Sequence, residues 1–162
     1  MKKLNFIIKC GLALLLLSFY SCESWLNVTP SDRLSEEMLF NDREGFVKAL
    51  NGVYIELNTN ELYGRNLTAG ALDVMGQYYS VASSSHAFYN YGGLVYTGND
   101  EKALFDNMWQ KCYAVIACCN TIIEKCDENK AGLSPVWRGS IKGEALALRA
   151  MLHFDMLRLS LI

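Results

Sequence analysis

The stretch from Asp100 to Cys126 constrains this chain most, because its apolar residues recur at helical spacing. Successive members lie three or four residues apart in strict alternation, which places them on one stripe of an α-helix about six turns long. Asn99 or Asp100 can cap the start of this helix, and Gly132 lies just past its end. The stripe consists of Phe105, Trp109, Cys112, Ile116, Cys119, Ile123 and Cys126.

A second long helix follows, and Ser134 and Pro135 provide its start signal. Little polar surface is left on it, so we expect it to be central and to form an antiparallel hairpin with the first. The chain stops without a cap or a charged tail, from which we infer a truncation. One predicted side carries Trp137, Ile141, Ala145, Leu148, Leu152 and Met156, and another carries Ala147, Met151, Phe154, Leu157 and Leu161.

Shorter helices are predicted upstream of the hairpin. One begins at Ser35, and a second follows a capping box at Asn41 and Glu44 and ends at 58–60. A third runs from about Asn66 to Val81. The predicted fold is therefore all-α. Tyr113 and Ala147 lie 34 residues apart, which is the repeat length of a tetratricopeptide unit.

The N-terminal residues have the pattern of an export signal. Residues 1–21 contain a lysine-bearing start and an apolar run that is shorter than the ~20 residues a membrane span needs. Phe19-Tyr20-Ser21-Cys22 resembles a bacterial lipobox, which predicts that Cys22 is acylated and that residues 22–34 form a tether. The alternative is an ordinary secretory signal with an incidental cysteine.

Cysteine spacing and charge exclude several classes of function. Cys112, Cys118, Cys119 and Cys126 share one helix, where residues seven apart lie ~10.5 Å apart and cannot form a disulfide. We interpret them as buried apolar thiols and predict no metal site and no cofactor. Without residues 1–21, 12 basic residues face 17 acidic ones, so the net charge is near −5. That balance argues against a nucleic-acid partner.

Two groups of side chains are candidates for chemistry. Glu144, Arg149, Asp155 and Arg158 could suggest acid–base catalysis, but we interpret them as an ion-pair network that ties the hairpin to its neighbours, and we predict no catalytic residue. Residues 82–99 form a long loop rich in aromatic residues, and such loops are usually functional when they are ordered. Tyr89, Asn90 and Tyr91 are the candidate ligand contacts. The alternative is that Phe88, Tyr91 and Tyr96 only pin the loop to the core.

Motifs along the chain together resemble the N-terminal part of the SusD/RagB outer-membrane lipoproteins of Bacteroidetes. The resemblance covers nearly all of 22–162, and its most specific part is Gly143-Glu144-Ala145-x-x-Leu148-Arg149-Ala150-x-x-x-Phe154-Asp155-x-x-Arg158-Leu159. The other matching segments are the lipidated Cys22 followed by Trp25-Leu26-Asn27-Val28-Thr29-Pro30-Ser31-Asp32, then Ser35-Glu36, Leu39-Phe40, Ala49-Leu50-Asn51-Gly52-Val53-Tyr54, Trp109-x-x-x-Tyr113-x-x-Ile116 and Asn120-x-Ile122-Ile123.

The resemblance implies a function that composition and spacing do not show. It implies that residues 35–162 are an incomplete SusD-like domain of tetratricopeptide-like hairpins with one long aromatic-rich loop. Such proteins are anchored in the outer membrane, bind an oligosaccharide or another nutrient, and deliver it to a SusC-type TonB-dependent transporter without catalysis. Because family members share the binding site with later parts of their chains, we expect residues 22–162 to bind ligand weakly or not at all. The alternatives are a structural lipoprotein that binds a protein partner, or a non-functional fragment.

Overall fold

A computed structural model describes residues 36–160, which contain six α-helices and no β-strand. The described part is all-α, as the sequence predicts. The predictions for the signal peptide, for Cys22, for the tether and for Leu161 lie outside the described residues. The helices are α1 (Glu36–Leu39), α2 (Arg43–Leu57), α3 (Asp73–Met75), α4 (Tyr89–Gly92), α5 (Asn99–Glu128) and α6 (Pro135–Ser160), and a π-helical segment (Leu67–Leu72) precedes α3.

Helices α5 and α6 form the predicted antiparallel hairpin. Residues that lie progressively earlier in α5 contact residues that lie progressively later in α6. Near the turn, the Lys142 ammonium pairs with the Asp127 carboxylate. Further along, Arg149 Nη1 donates to Asn120 Oδ1 at 2.8 Å. Farthest from the turn, the Cys112 thiol lies 3.8 Å from the Leu152 carbonyl oxygen.

The predicted ends of α5 need correction. Its N-cap is Gly98, which has extended backbone and no side-chain cap bond, so Asn99 and Asp100 are already helical. Asp100 and Glu101 therefore lie in the first turn, where a negative charge interacts favourably with the helix dipole. At the other end, Asn129 adopts the left-handed conformation with φ 48°, directly after the last helical residue. Asn129 thus ends the helix three residues before the predicted Gly132.

The buried seam of α5 is rotated from the predicted stripe. Cys112, Ile116, Cys119 and Cys126 belong to both, and Met108, Val115 and Ile122 complete the buried set. Trp109 is instead 40 % exposed. Cys112, Cys119 and Cys126 form a line along α5, with Met108 on one side of it and Trp109 on the other. Packing against α6 buries Met108 and leaves Trp109 partly exposed. The three cysteines are buried free thiols, and burial raises the pKa of Cys112 to about 12.

Only one side of α6 is buried within the described residues. Its predicted first side is confirmed except for Trp137, which is 43 % exposed, and Leu159 joins the buried set. The predicted second side is exposed, so α6 is not central in the part of the chain described. We call the apolar surface at this edge of the hairpin the open face; it consists of Trp109, Tyr113, His153, Phe154 and Leu157.

Helix α2 lies against both helices of the hairpin. Phe46, Leu50, Val53 and Leu57 of α2 are buried at spacings of four, three and four residues. The Tyr54 side chain of the same helix is 44 % exposed, and its hydroxyl donates to Glu144 Oε1 of α6 at 2.5 Å.

The third predicted helix is shorter than expected. The chain forms the π-helical segment and α3, and the helix ends at Gly76 instead of Val81. Gln77 has φ 59°, a left-handed conformation that does not continue a right-handed helix. Tyr79, which lies within the predicted helix, instead belongs to the loop that follows α3 and is 45 % exposed.

The N-cap of α2 is Asp42, one residue after the predicted Asn41. Asp42 has extended backbone, and its Oδ1 accepts a hydrogen bond from the Gly45 backbone N–H at 2.8 Å. Side-chain caps of this kind satisfy a helix N–H that otherwise has no partner.

We expect Asp42→Ala to lower the free energy of unfolding by ~1 kcal/mol, the typical value for a lost cap. Asn41→Ala is the matched control and should change it by less than ~0.5 kcal/mol, as exposed substitutions usually do. Urea denaturation followed by circular dichroism measures both. A larger loss in Asn41→Ala than in Asp42→Ala would contradict this assignment of the cap.

Candidate functional site

The long loop is fixed to the core by two aromatic side chains. Phe88 and Tyr91 are 4 % and 0 % exposed, and their rings pack edge to face with centroids 6.0 Å apart. Phe88 packs directly on Gly70 of the π-helical segment, where an added Cβ would lie 2.5 Å from Phe88 Cζ. Glycine at position 70 therefore makes this close packing of the loop possible.

The first turn of α5 holds the short helix α4. The Tyr91 hydroxyl donates to the Glu101 backbone oxygen at 2.9 Å, and Asn90 Nδ2 donates to Glu101 Oε1 at 2.6 Å. Burial raises the pKa of Tyr91 to about 12, so its hydroxyl remains a proton donor at neutral pH. Glu101 thus binds two consecutive residues of the loop through two different atoms.

Residues 77–79, which follow α3 and precede the predicted loop, are also bonded to the neighbouring helical segments. Gln77 Nε2 donates to the Gly92 carbonyl oxygen at 3.0 Å and to the Val74 oxygen at 3.3 Å. The Tyr79 hydroxyl donates to the backbone oxygen of Ala69. These bonds hold residues 77–79 beside α4 although the helix has ended.

Between these segments lies an open cleft of about 300 Å³. This volume is at the lower end of the ~300–1,000 Å³ typical of small-molecule sites. Tyr79 and Tyr89 contribute half-exposed rings to it. We call it the aromatic cleft; its lining residues are Gln77, Tyr79, Ser80, Val81, Tyr89, Asn90, Gly92, Gly93 and Val95.

The three predicted ligand contacts have different positions. Tyr89 and Asn90 line the aromatic cleft, whereas Tyr91 lies fully buried behind it and presents no surface to a ligand. Contact with a ligand stays a prediction for Tyr89 and Asn90, and Tyr91 instead holds the loop in place. Sequence reasoning missed Gln77 and Tyr79 because it extended a helix through them. The Gly76-Gln77 pair was the available signal for the end of that helix.

Two other cavities lie elsewhere in the described residues. One of about 520 Å³ is bordered by Tyr96, Phe105 and the last described residues of α6. Another of about 210 Å³ lies between α1 and the end of α5. Neither contains the pairing of exposed aromatic rings with amide side chains that distinguishes the aromatic cleft.

The four charged residues of α6 do not converge on one point. Asp155 is 5 % exposed and accepts bonds from Tyr63 at 2.5 Å and Arg158 at 2.8 Å. Glu144 and Arg149 bond separately to Tyr54 and Asn120. The hydrogen bonds to Tyr54, Tyr63 and Asn120 tie α6 to its neighbours, whereas the one ion pair among the four residues, Asp155–Arg158, lies within α6. The expected network therefore consists mainly of hydrogen bonds and not of ion pairs. Within residues 36–160, no group of three or more His, Cys, Asp or Glu side chains is placed to bind a metal.

Comparison with known proteins assigns a family. The profile of a SusD-like family, described as "starch-binding associating with outer membrane", matches residues 24–159. The chain therefore belongs to the SusD-like proteins.

One similar curated protein is SusD-like protein P2 of Formosa agariphila, which is 25 % identical over 162 residues. The match covers 97 % of this chain and 29 % of that protein, so the chain spans less than a third of its relative's length. No solved structure matches the chain. None of the helices in residues 36–160 is long and apolar enough to cross a membrane.

We expect Tyr91→Ala to destabilise the protein strongly and Tyr89→Ala to leave it nearly unchanged. Loss of a fully buried aromatic side chain costs roughly 3–5 kcal/mol, whereas most exposed substitutions stay within ~0.5 kcal/mol. Urea denaturation of the two variants measures the difference. Equal stability of the two variants would mean that Tyr91 does not hold the loop to the core.

Proposed function

We propose that this chain supplies part of the glycan-binding surface of a nutrient-uptake lipoprotein, which delivers its ligand to a SusC-type TonB-dependent transporter. The observation that carries the proposal is the aromatic cleft. Aromatic faces suit the C–H faces of sugar rings, and rigid rings lose little conformational entropy on binding. Tyr79 and Tyr89 offer such rings beside the polar side chains of Gln77 and Asn90.

The proposed activity is binding without catalysis. The charged residues of α6 that could suggest acid–base chemistry, Glu144, Arg149 and Asp155, are hydrogen-bonded to three separate partners. The fixed loop, with its ends bonded to α3, α4 and α5, is consistent with a preformed binding surface. The small volume of the aromatic cleft accommodates only a short part of a glycan, which fits weak binding by this chain.

The proposed anchor is a lipid on Cys22. An N-terminal cysteine with several acyl chains gives stable attachment, which a single chain does not.

Fatty-acid labelling in a Bacteroidetes host tests the anchor. The full chain should incorporate an alkynyl palmitate analogue and fractionate with the outer membrane, and Cys22→Ser should lose both properties. Cys118→Ser is the matched control, because Cys118 is the exposed thiol of α5 and lies far along the chain from the lipobox. Undiminished labelling of Cys22→Ser would rule out this anchor.

The second candidate is a helical lipoprotein that binds a protein partner and no glycan. The open face favours it, because Trp109, Phe154 and Leu157 are 40 %, 59 % and 52 % exposed. Exposed apolar patches often mark interaction sites.

Saturation-transfer difference NMR with maltohexaose tests glycan binding, since the method detects millimolar affinity. We expect transfer to the sugar C–H protons in the wild-type chain and its loss in Tyr89→Ala. Tyr78→Ala is the matched control, because Tyr78 is 82 % exposed and lies outside the lining of the cleft.

Three outcomes would count against this function. They are the absence of transfer across a panel of oligosaccharides, transfer that persists in Tyr89→Ala, and transfer that Trp109→Ala abolishes. The last outcome would move binding to the open face.

A further inference from the structure

The lining of the aromatic cleft carries no charged side chain. Its polar groups are the amides of Gln77 and Asn90, the hydroxyls of Ser80, Tyr79 and Tyr89, and backbone groups. Proteins usually bind carboxylate and sulfate groups with arginine, lysine or helix N-termini, which supply charge-assisted hydrogen bonds. None of the lining residues is arginine or lysine.

Two acidic groups in the described part of the chain act on lining residues of the cleft. The Glu101 carboxylate accepts the 2.6 Å hydrogen bond from Asn90. The pKa of Tyr79 is raised by burial and then by the negative charge of Asp73. Glu101 and its sequence neighbour Lys102 both line the separate cavity of about 520 Å³, and neither lines the cleft itself. Glu101 is connected to the cleft through its hydrogen bond with Asn90.

An anionic sugar would therefore meet unfavourable electrostatics in this cleft. Its charge would lose hydration without gaining a cationic partner, and it would approach two carboxylates. A neutral sugar needs only hydrogen bonds and ring contacts, both of which the lining offers. Specificity in such a site comes from the penalty on the wrong ligand as much as from contacts to the right one.

We propose that the aromatic cleft selects neutral sugars and rejects uronic acids and sulfated sugars. This inference rests on the proposed glycan-binding function and specifies its substrate class. Glu101 has two effects in this account: it orients Asn90, and its charge contributes to the rejection of anions.

The test compares maltohexaose with sulfated maltohexaose in ligand-observed NMR titrations of the full chain. We expect the neutral sugar to bind at least about tenfold more tightly at low salt, and the ratio to shrink as added salt screens the charges. Sulfation also adds bulk, so a charge-specific variant is needed.

Glu101→Gln is that variant, because glutamine can still accept the hydrogen bond from Asn90 without the negative charge. It should reduce the ratio of the two affinities about threefold or more at low salt. Glu124→Gln removes an equal charge from the same helix 23 residues away, or about 34 Å along its axis, and should leave the ratio unchanged.

The possible outcomes distinguish a failure of charge selection from a failure of glycan binding. If Tyr89→Ala abolishes maltohexaose binding but the sulfated sugar binds the wild-type chain equally well, charge selection is wrong and glycan binding stands. If Glu101→Gln and Glu124→Gln change the ratio equally, the local effect of Glu101 is refuted. If neither sugar binds in a Tyr89-dependent way, both the function and the inference fail.

Discussion

The described structure depends on the packing of α5 against α6, because α2 and the aromatic-rich loop both attach to this helix pair. The buried seam of α5 alternates larger residues such as Met108 and Ile122 with cysteines, and α6 contributes Ala145 and Leu152 opposite it. Small side chains allow the backbones to approach, as the contact between the Cys112 thiol and the Leu152 carbonyl shows. Helix α2 packs on the resulting platform, and the first turn of α5 carries the Glu101 groups that hold the loop.

The loop shows how a segment without helical periodicity acquires a fixed conformation. Three contacts with other segments fix it: Phe88 packs on Gly70, the Tyr91 hydroxyl bonds to the Glu101 backbone, and Gln77 bonds to the Gly92 carbonyl. Each buries an aromatic ring or satisfies a backbone group that would otherwise face solvent alone. Tyr89 and Asn90 are left at the surface, and this separation of anchoring from exposed residues suits a binding site.

Sequence reasoning found the elements whose signal is local and repeated. The apolar spacing from Phe105 to Cys126 predicts α5. The start signal at Ser134 and Pro135 and the scarcity of polar residues after it predict the pairing of α5 with α6. The sequence does not show whether Trp109 or Met108 is buried, because α5 is apolar on both sides of its cysteines. The position of the partner helix determines which of the two is buried. Adjacent Asn41 and Asp42 are equally good caps by residue type, and backbone conformation alone distinguishes them.

The candidate site was harder to predict for a related reason. Helix α4 has a single turn, too short for a periodic pattern to show that Tyr89 faces out and Tyr91 faces in. The contribution of Tyr79 depends on the left-handed backbone of Gln77, a conformation uncommon outside glycine, asparagine and aspartate. The sequence predicts that the candidate site combines aromatic residues with an amide. The geometry of the site could not be predicted, because it depends on contacts between segments that are distant in sequence.

Hydrogen–deuterium exchange of the full chain, with and without a large excess of maltohexaose, reports on both the hairpin and the aromatic cleft. We expect α5 and α6 to exchange slowest in the free protein. We expect the sugar to slow exchange in residues 77–95 and to leave the peptides of the open face unchanged. Protection of the Trp109 and Phe154 peptides instead, or no change around Tyr89 at saturating sugar, would contradict this expectation.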